Sequence, residues 1–282
     1  MQVFDATTRQ TWLIDVYALR HAAFVTRGTS SGLTFKAILE DPRTPKVFFD
    51  VRNDSDALYA EYGIVLQGIE DLQLMEFAAR PFGDPRRLLM GLAGCIKRDL
   101  PLNEASMLRF QKVKEQGWKL FAPELNGSYA VFKERPLPEA IKEYCISDVK
   151  FMSVLWHHYS HQMCPQTRER MLEESAARVA ESQSPNYNPE GPGKAFAPTG
   201  WSGSPWLDEA LRKYKEKTQL DLPTKMHSDF SRQQQWAADP RWGLEADRQR
   251  KWDVNRDLRS ELAYLRDLRG VAYRAQRPRQ PW

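Results

Sequence analysis

The apolar positions of the first 70 residues follow strand-like patterns at four places. Residues 1–5 and 12–17 each predict a short strand, and the brief polar turn between them predicts an antiparallel hairpin. Residues 46–50 form a continuous apolar run that ends in an acidic residue, which is typical of a buried strand. Residues 64–69 predict another short strand region.

Apolar residues spaced three and four apart predict helices between and after these strands. The predicted helices cover residues 33–40, 72–80, 86–97, 139–161 and 165–182, and a further helix begins at Asn53 or Asp54. Residues 99–135 are rich in aromatic and basic side chains and predict a helix followed by a loop. This alternation of strands and helices predicts an α/β fold with a mixed sheet flanked by helices.

Proline and glycine cluster in residues 183–205, which predicts an unfolded linker. We therefore expect a globular domain over residues 1–182 and a C-terminal extension over residues 206–282 that is partly helical or disordered. Residues 225–282 carry 13 Lys+Arg and 8 Asp+Glu, whereas residues 1–163 carry 20 of each. A basic extension that contains tryptophan could touch nucleic acid. A solvated extension is the alternative.

Several classes of protein are disfavoured by the sequence. It has no run of about 18 apolar residues, so we expect no membrane span. Residues 1–5 lack the features of a signal peptide, which predicts an intracellular protein, nuclear or cytoplasmic. The three cysteines are widely spaced, which argues against a disulfide framework or a zinc site.

Two segments carry candidate chemistry. Asp50-Val-Arg-Asn-Asp-Ser-Asp-Ala-Leu-Tyr59 follows the apolar run of the third predicted strand, and Tyr144-Cys-Ile-Ser-Asp148 lies in the helical pattern of residues 139–161. Because four residues make about one helical turn, Tyr144 and Asp148 share a helix face. Together, the two segments resemble the second and third motifs of the DEDD superfamily of 3′–5′ exonucleases. By this resemblance the tyrosine implies the DEDDy subgroup, and the segment around Asp54 resembles the egalitarian-like, exonuclease 3′–5′ domain-like branch.

The resemblance covers about residues 1–180 and implies a ribonuclease H-like exonuclease fold. In this family, two divalent ions about 4 Å apart activate a water molecule and stabilise the leaving oxygen of a phosphodiester. Such hard ions, Mg²⁺ or Mn²⁺, require oxygen ligands. By resemblance, Asp54 and Asp148 would bind metal and Tyr144 would orient the attacking water. The implied partner is the single-stranded 3′ end of RNA or DNA.

The sequence departs from the family at the first motif. The family places an Asp-x-Glu pair on the first strand of the sheet, and this sequence contains no Asp-x-Glu. We therefore expect an N-terminally truncated fold with two of four carboxylates lacking, and weak or no hydrolysis. A wrong start codon or a missed exon would explain the loss. The alternative is a non-catalytic nucleic-acid-binding or adaptor protein, and a third reading gives the working role to the extension.

Two further groups of residues are weaker candidates. Lys112, Lys114, Trp118 and Lys119 could line a strand-binding groove through charge and stacking, or could form an ordinary solvated helix face. Gly191-Pro-Gly-Lys194 superficially resembles a phosphate-binding loop. It lacks the spacing Gly-x-x-x-x-Gly-Lys-Ser/Thr and a preceding strand, so we interpret it as part of the linker.

Overall fold

A computed structural model of the protein describes residues 1–29, 31–80 and 88–201, with single positions at 209, 212 and 216. These residues form two compact units. The first contains Met1–Ala37 and Leu102–Phe151, and the second contains Ile38–Pro101 and the residues that follow Phe151. The predicted extension of residues 206–282 lies outside the described residues, apart from the three single positions.

The elements are given in chain order. The strands are β1 (Gln2–Asp5), β2 (Gln10–Leu13), β3 (Lys46–Phe48) and β4 (Ile69–Asp71). The helices are α1 (Val16–Leu19), α2 (Ala22–Val25), α3 (Phe35–Glu40), α4 (Arg52–Tyr62), α5 (Leu72–Ala79), α6 (Leu92–Asp99), α7 (Glu104–Phe121), α8 (Glu139–Lys150), α9 (Met152–Ser160) and α10 (Pro165–Ser182). Short 3-10 helices cover Pro123–Leu125, Tyr129–Lys133 and Pro192–Ala195.

The first unit is built on the hairpin and on the pair α7–α8. Strands β1 and β2 pair antiparallel with Gln2 opposite Leu13, which confirms the predicted hairpin. The second strand ends earlier than predicted because Asp15 accepts a hydrogen bond from the backbone N–H of Ala18 and begins α1. Helix α8 packs against both strands and against α7. Phe24, Phe110, Val113 and Ile141 are among its buried residues.

The second unit surrounds a parallel strand pair. Strands β3 and β4 align Lys46 with Ile69 and Phe48 with Asp71. Helix α5 follows β4 directly, and each of its residues is buried. Helices α9 and α10 pack on α5, and α10 also packs on β4 and α4. The core of this unit is largely supplied by α5, α6, α9 and α10, through Leu72, Leu74, Met75, Phe77, Ile96, Leu155 and Met171.

The α/β class is confirmed, and four details differ from the predictions. Among the described residues, the strands form two separate two-stranded pairs instead of one mixed sheet. The helix predicted over residues 139–161 divides into α8 and α9 at Phe151. The apolar run at residues 64–66 is coil that precedes β4, with Ile64 and Leu66 buried and Val65 exposed. Helix α6 begins at Leu92, after Gly91, rather than near residue 86, which lies outside the described residues.

The predicted unfolded linker is ordered in its described part, residues 183–201. It contains the 3-10 helix Pro192–Ala195, and Phe196 pairs with Leu88 in an isolated antiparallel bridge. Trp201 is buried, with its ring centroid 6.0 Å from that of Phe77. Proline and glycine in this segment therefore mark turns of a packed coil. Within the described part of the chain, no helix has the length and apolar character needed to span a bilayer.

Candidate functional site

The carboxyl ends of β3 and β4 meet at one edge of the second unit because the two strands are parallel. Asp71 ends β4 and is fully buried. Its carboxylate accepts hydrogen bonds from the backbone N–H groups of Asp50 (2.9 Å) and Val51 (3.1 Å), which precede α4. It also accepts one from Gln73 (3.1 Å) in the first turn of α5. One carboxylate thus caps the starts of two helices.

Cations surround this edge. Arg178 on α10 donates to Asp71 at 2.7 Å and lies 3.7 Å from Asp50. Arg52 binds both oxygens of Asp50, at 2.6 and 3.0 Å. Although burial opposes the shift, the hydrogen bonds and charge of Arg52 hold the pKa of Asp50 below its ordinary value. Asp50 and Asp71 therefore have protein cations as counter-charges.

Asp54, the predicted metal ligand of the second motif, lies in the first turn of α4. Crowding by protein atoms, and next the carboxylates of Asp50 and Asp71, raise the pKa of Asp54 to about 6. The residue is nevertheless exposed to solvent, which weakens the effect of crowding, so the rise owes more to the two carboxylates. Asp54 is the carboxylate of this edge that faces solvent.

Tyr144 and Asp148 lie in the first unit, on the face of α8 that meets α7. Lys114 on α7 forms an ion pair with Asp148, and its Nζ lies 3.6 Å from the centroid of the Tyr144 ring. The ammonium group of Lys114 contacts both side chains, so Tyr144 and Asp148 share a helix face as predicted. Burial raises the pKa of Tyr144, and the negative charge of Asp148 adds to the rise. The phenol stays protonated at neutral pH and can donate a hydrogen bond.

Asp148 is about three-quarters buried, with 26% of its side chain exposed. Burial raises its pKa, against the opposing positive charge of Lys114. The close approach of the two helices depends on Gly117, because a Cβ atom at this position would lie 2.5 Å from Cδ2 of Tyr144. The tyrosine ring occupies the space that glycine leaves open.

The other three candidates for nucleic-acid binding, Lys112, Trp118 and Lys119, are exposed on α7. Lys119 pairs with Glu115 at 2.6 Å, and Trp118 is 44% exposed. Lys114 differs from them because it is turned toward α8. Sequence reasoning grouped these four residues by composition and missed the partnership of Lys114 with Asp148, which the spacing of charges along a single helix does not reveal.

Carboxylate oxygens are the ligands that a divalent cation prefers, but few of these carboxylates are available to bind one. Asp71 and Asp50 are occupied by hydrogen bonds and arginines, and Asp148 is paired with Lys114. Among the residues that the structure describes, no group of three or more His, Cys, Asp or Glu side chains is arranged to hold a metal ion. The described side chains of each unit thus do not form a binuclear centre by themselves.

Comparisons with known proteins agree with the motifs. A family model described as 3′–5′ exonuclease matches residues 1–163, and exonucleases of this kind are generally dependent on divalent metals. No curated protein gives a significant match. The chain is similar in fold to the crystal structure of Trypanosoma brucei RNase D, with 21% identity, a TM-score of 0.53, and coverage of 74% of this chain and 66% of that chain.

The complex of the same RNase D with RNA U12 gives a similar match, with 20% identity, a TM-score of 0.52, and coverage of 74% and 63%. Our chain spans between half and two thirds of the length of the solved structures that it matches. At this level of identity the structures show a shared fold, while the family model covers more than half of the chain. The chain therefore belongs to the 3′–5′ exonuclease family.

Proposed function

We propose that the protein binds single-stranded RNA or DNA and, with the side chains present in this sequence, removes nucleotides from 3′ ends only weakly. The observation that carries the proposal is the arrangement of Tyr144 and Asp148 on one face of α8, as the family motif requires. The RNA in the complex of the RNase D relative supports nucleic acid as the ligand.

The proposed roles follow the motifs. Asp54 and Asp148 are the side chains that would hold Mg²⁺ or Mn²⁺, which in enzymes of this class activates water and stabilises the leaving oxygen. Tyr144 would orient the water through its protonated hydroxyl. Weak activity is expected because the sequence has no Asp-x-Glu pair to supply the remaining carboxylates.

A second candidate is a non-catalytic nucleic-acid-binding or adaptor protein. One observation favours it: Lys114 neutralises Asp148, while Arg52 and Arg178 neutralise Asp50 and Asp71. Carboxylates that are balanced by protein cations do not need metal charge to remain ionised. Under this proposal the exonuclease fold serves as a scaffold for binding.

The test uses the purified full chain with 5′-labelled single-stranded RNA and DNA, in Mg²⁺, Mn²⁺ or EDTA. For an exonuclease we expect binding in EDTA, and slow shortening from the 3′ end that requires metal. Asp54→Asn or Asp148→Asn should lower the rate at least about tenfold, while Asp41→Asn, at an exposed pair with Arg43, should not.

The outcomes separate the two candidates. Binding without shortening, unchanged by Asp54→Asn, would support the adaptor. Failure to bind either nucleic acid would contradict both proposals. Shortening that persists in EDTA and in the Asp54→Asn, Asp148→Asn double variant would exclude these carboxylates as metal ligands.

A further inference from the structure

The residues that follow α10 lie over the start of α4, which carries Asp54. We call residues 183–196 the strap. Two of its side chains converge on one atom: the hydroxyl of Tyr187 donates to Oδ1 of Asn53 at 2.6 Å, and Nζ of Lys194 donates to the same oxygen at 2.5 Å. Asn53 directly precedes Asp54 in the first turn of α4. The strap therefore contacts the chain one residue from the proposed metal ligand.

The contact is reciprocal. Nη2 of Arg52 donates to the backbone oxygen of Lys194 at 3.0 Å, and Nζ of Lys194 lies 3.9 Å from Asp50. Lys194 is also bonded within the strap, since its Nζ donates to the carbonyl of Pro189 at 3.2 Å. Its side chain is only 19% exposed. These bonds fix Lys194 in one place, unlike a solvated surface lysine.

The strap is itself shaped to make these contacts. Asn188 accepts a hydrogen bond from the backbone of Glu190 at 3.0 Å, and its carbonyl accepts one from Gly191 at 3.1 Å. The 3-10 helix Pro192–Ala195 then brings Lys194 back toward α4. The carbonyl of Ala195 accepts a hydrogen bond from Leu89 at 2.9 Å, which anchors the far end of the strap.

Helix α4 lacks a capping side chain of its own, because its N-cap residue is Val51. The carboxylate of Asp71 instead accepts a hydrogen bond from the backbone of Val51 on the buried side, and the strap bonds Asn53 in the first turn on the outer side. The strap begins 20 residues after the end of the family match at residue 163, so it is a feature of this chain beyond the matched segment.

We propose that the strap is part of the site formed by the second motif, and that Tyr187 and Lys194 are positioning residues that hold Asp54 in place through Asn53. This inference rests on the proposed role of Asp54 as a ligand. The Gly-Pro-Gly-Lys sequence, interpreted from its composition as linker, here serves to place a lysine. The ammonium group of Lys194 bonds to the protein itself, at Asn53 and Pro189.

The test compares Tyr187→Phe, Lys194→Met and the double variant with two controls in the full chain. Tyr59→Phe removes an exposed hydroxyl from α4, and Lys97→Met removes an exposed lysine from α6. Amide hydrogen exchange is measured for the peptide that covers residues 50–60. We expect exchange of the protected amides in this peptide to accelerate about tenfold in the double variant, with the Tm close to that of the controls.

A role in positioning has a further signature. At a fixed pH of 8, the carboxyl ¹³C resonance of Asp54 should shift in Lys194→Met and return toward the wild-type position in Lys194→Arg, which restores a cationic donor. If the family activity is present, kcat should fall about tenfold while KM for the nucleic acid is unchanged.

The readings by exchange and NMR do not require catalysis, so they decide the role of the strap even if the chain hydrolyses nothing. Exchange and ¹³C shifts in both strap variants that match those of the controls would overturn the inference. Faster exchange and an altered ¹³C shift that come with a lower Tm and are not rescued by arginine would also overturn it, because they would assign the strap a purely stabilising role.

Discussion

Individual carboxylates of this protein differ in what balances their charge. Asp50 and Asp71 have arginines within hydrogen-bond distance, and Asp148 has Lys114. Asp54 is the exposed member of the set, and crowding together with its acidic neighbours raises its pKa to about 6. An ionised Asp54 is therefore a cost to the folded state at neutral pH.

This cost gives a prediction about stability and pH. Because the pKa of Asp54 is higher in the folded than in the unfolded chain, its contribution to stability is present below about pH 4 and is lost as the pH rises through about 6. Asp54→Asn should thus stabilise the protein at pH 7.5 by about 1 kcal/mol, a value discounted for solvent screening. Urea unfolding at pH 7.5 and at pH 4 measures the difference. A variant that is less stable than the wild type at pH 7.5 would contradict the prediction.

At the scale of elements, the contact between α7 and α8 depends on Gly117. Alanine is favoured over glycine within a helix by up to about 1 kcal/mol. At this position, however, the added Cβ would lie 2.5 Å from Cδ2 and 2.6 Å from Cβ of Tyr144. We expect Gly117→Ala to lower the free energy of unfolding by about 2 kcal/mol, because overpacking outweighs helix propensity.

Gly94→Ala on α6 is the matched control. Its Cβ would approach only the flexible side chain of Met90, at 2.8 Å from Cγ, so we expect little change or a small gain in stability. Urea unfolding of both variants tests the comparison, and equal effects at the two positions would refute the argument from Tyr144.

The carboxylate of Asp71 joins β4, α4, α5 and α10. Asp71→Asn would break the buried ion pair with Arg178 and leave that guanidinium with Asp50, 3.7 Å away, as its carboxylate partner, and breaking a buried pair typically costs about 3–5 kcal/mol. We expect a loss of about 3 kcal/mol in urea unfolding. Asp41→Asn, where the partner Arg43 is 89% exposed, should cost much less, because solvent screens the pair. A loss as small as that of Asp41→Asn would show that Asp71 does not hold these elements together.

The elements that could be predicted are those with a local signal. The hairpin, the strand at residues 46–48 and helix α10 follow from periodicity and turn residues. The start of α4 at Arg52 was not predictable, because its cap is Asp71, which is distant in sequence. The break at Phe151 lacks glycine or proline, and the apolar spacing continues across it. Phe151 instead packs edge-on against Phe110, with ring centroids 5.6 Å apart, a contact that sequence does not reveal.

For the whole molecule, charge is distributed unevenly along the chain. Residues 225–282 carry an excess of five positive charges, and the first 163 residues are balanced. If these charges contact nucleic acid, their removal reduces the number of counterions that binding releases. Deleting residues 225–282 should then reduce the magnitude of the slope of log affinity against log salt concentration for single strands by up to about 3.5, at about 0.7 for each of the five charges.

Fluorescence anisotropy with labelled single-stranded RNA at several salt concentrations measures this slope, and circular dichroism confirms that the shortened chain is folded. A slope and an affinity equal to those of the full chain would show that the extension is solvated and takes no part in binding. That result would also remove the reading in which the extension performs the main function.

The bonds between α10 and Asp71 at the end of β4 determine where a recombinant fragment of the protein should end. A recombinant fragment that ends with the family match at residue 163 would lack Arg178, which pairs with Asp71, and Ser175, which accepts a hydrogen bond from its backbone N–H. It would also leave the ring of Phe77 without Trp201. Such a fragment should aggregate, whereas one that extends past Trp201 keeps its buried charge paired and its apolar core covered, and is the better choice for crystallisation.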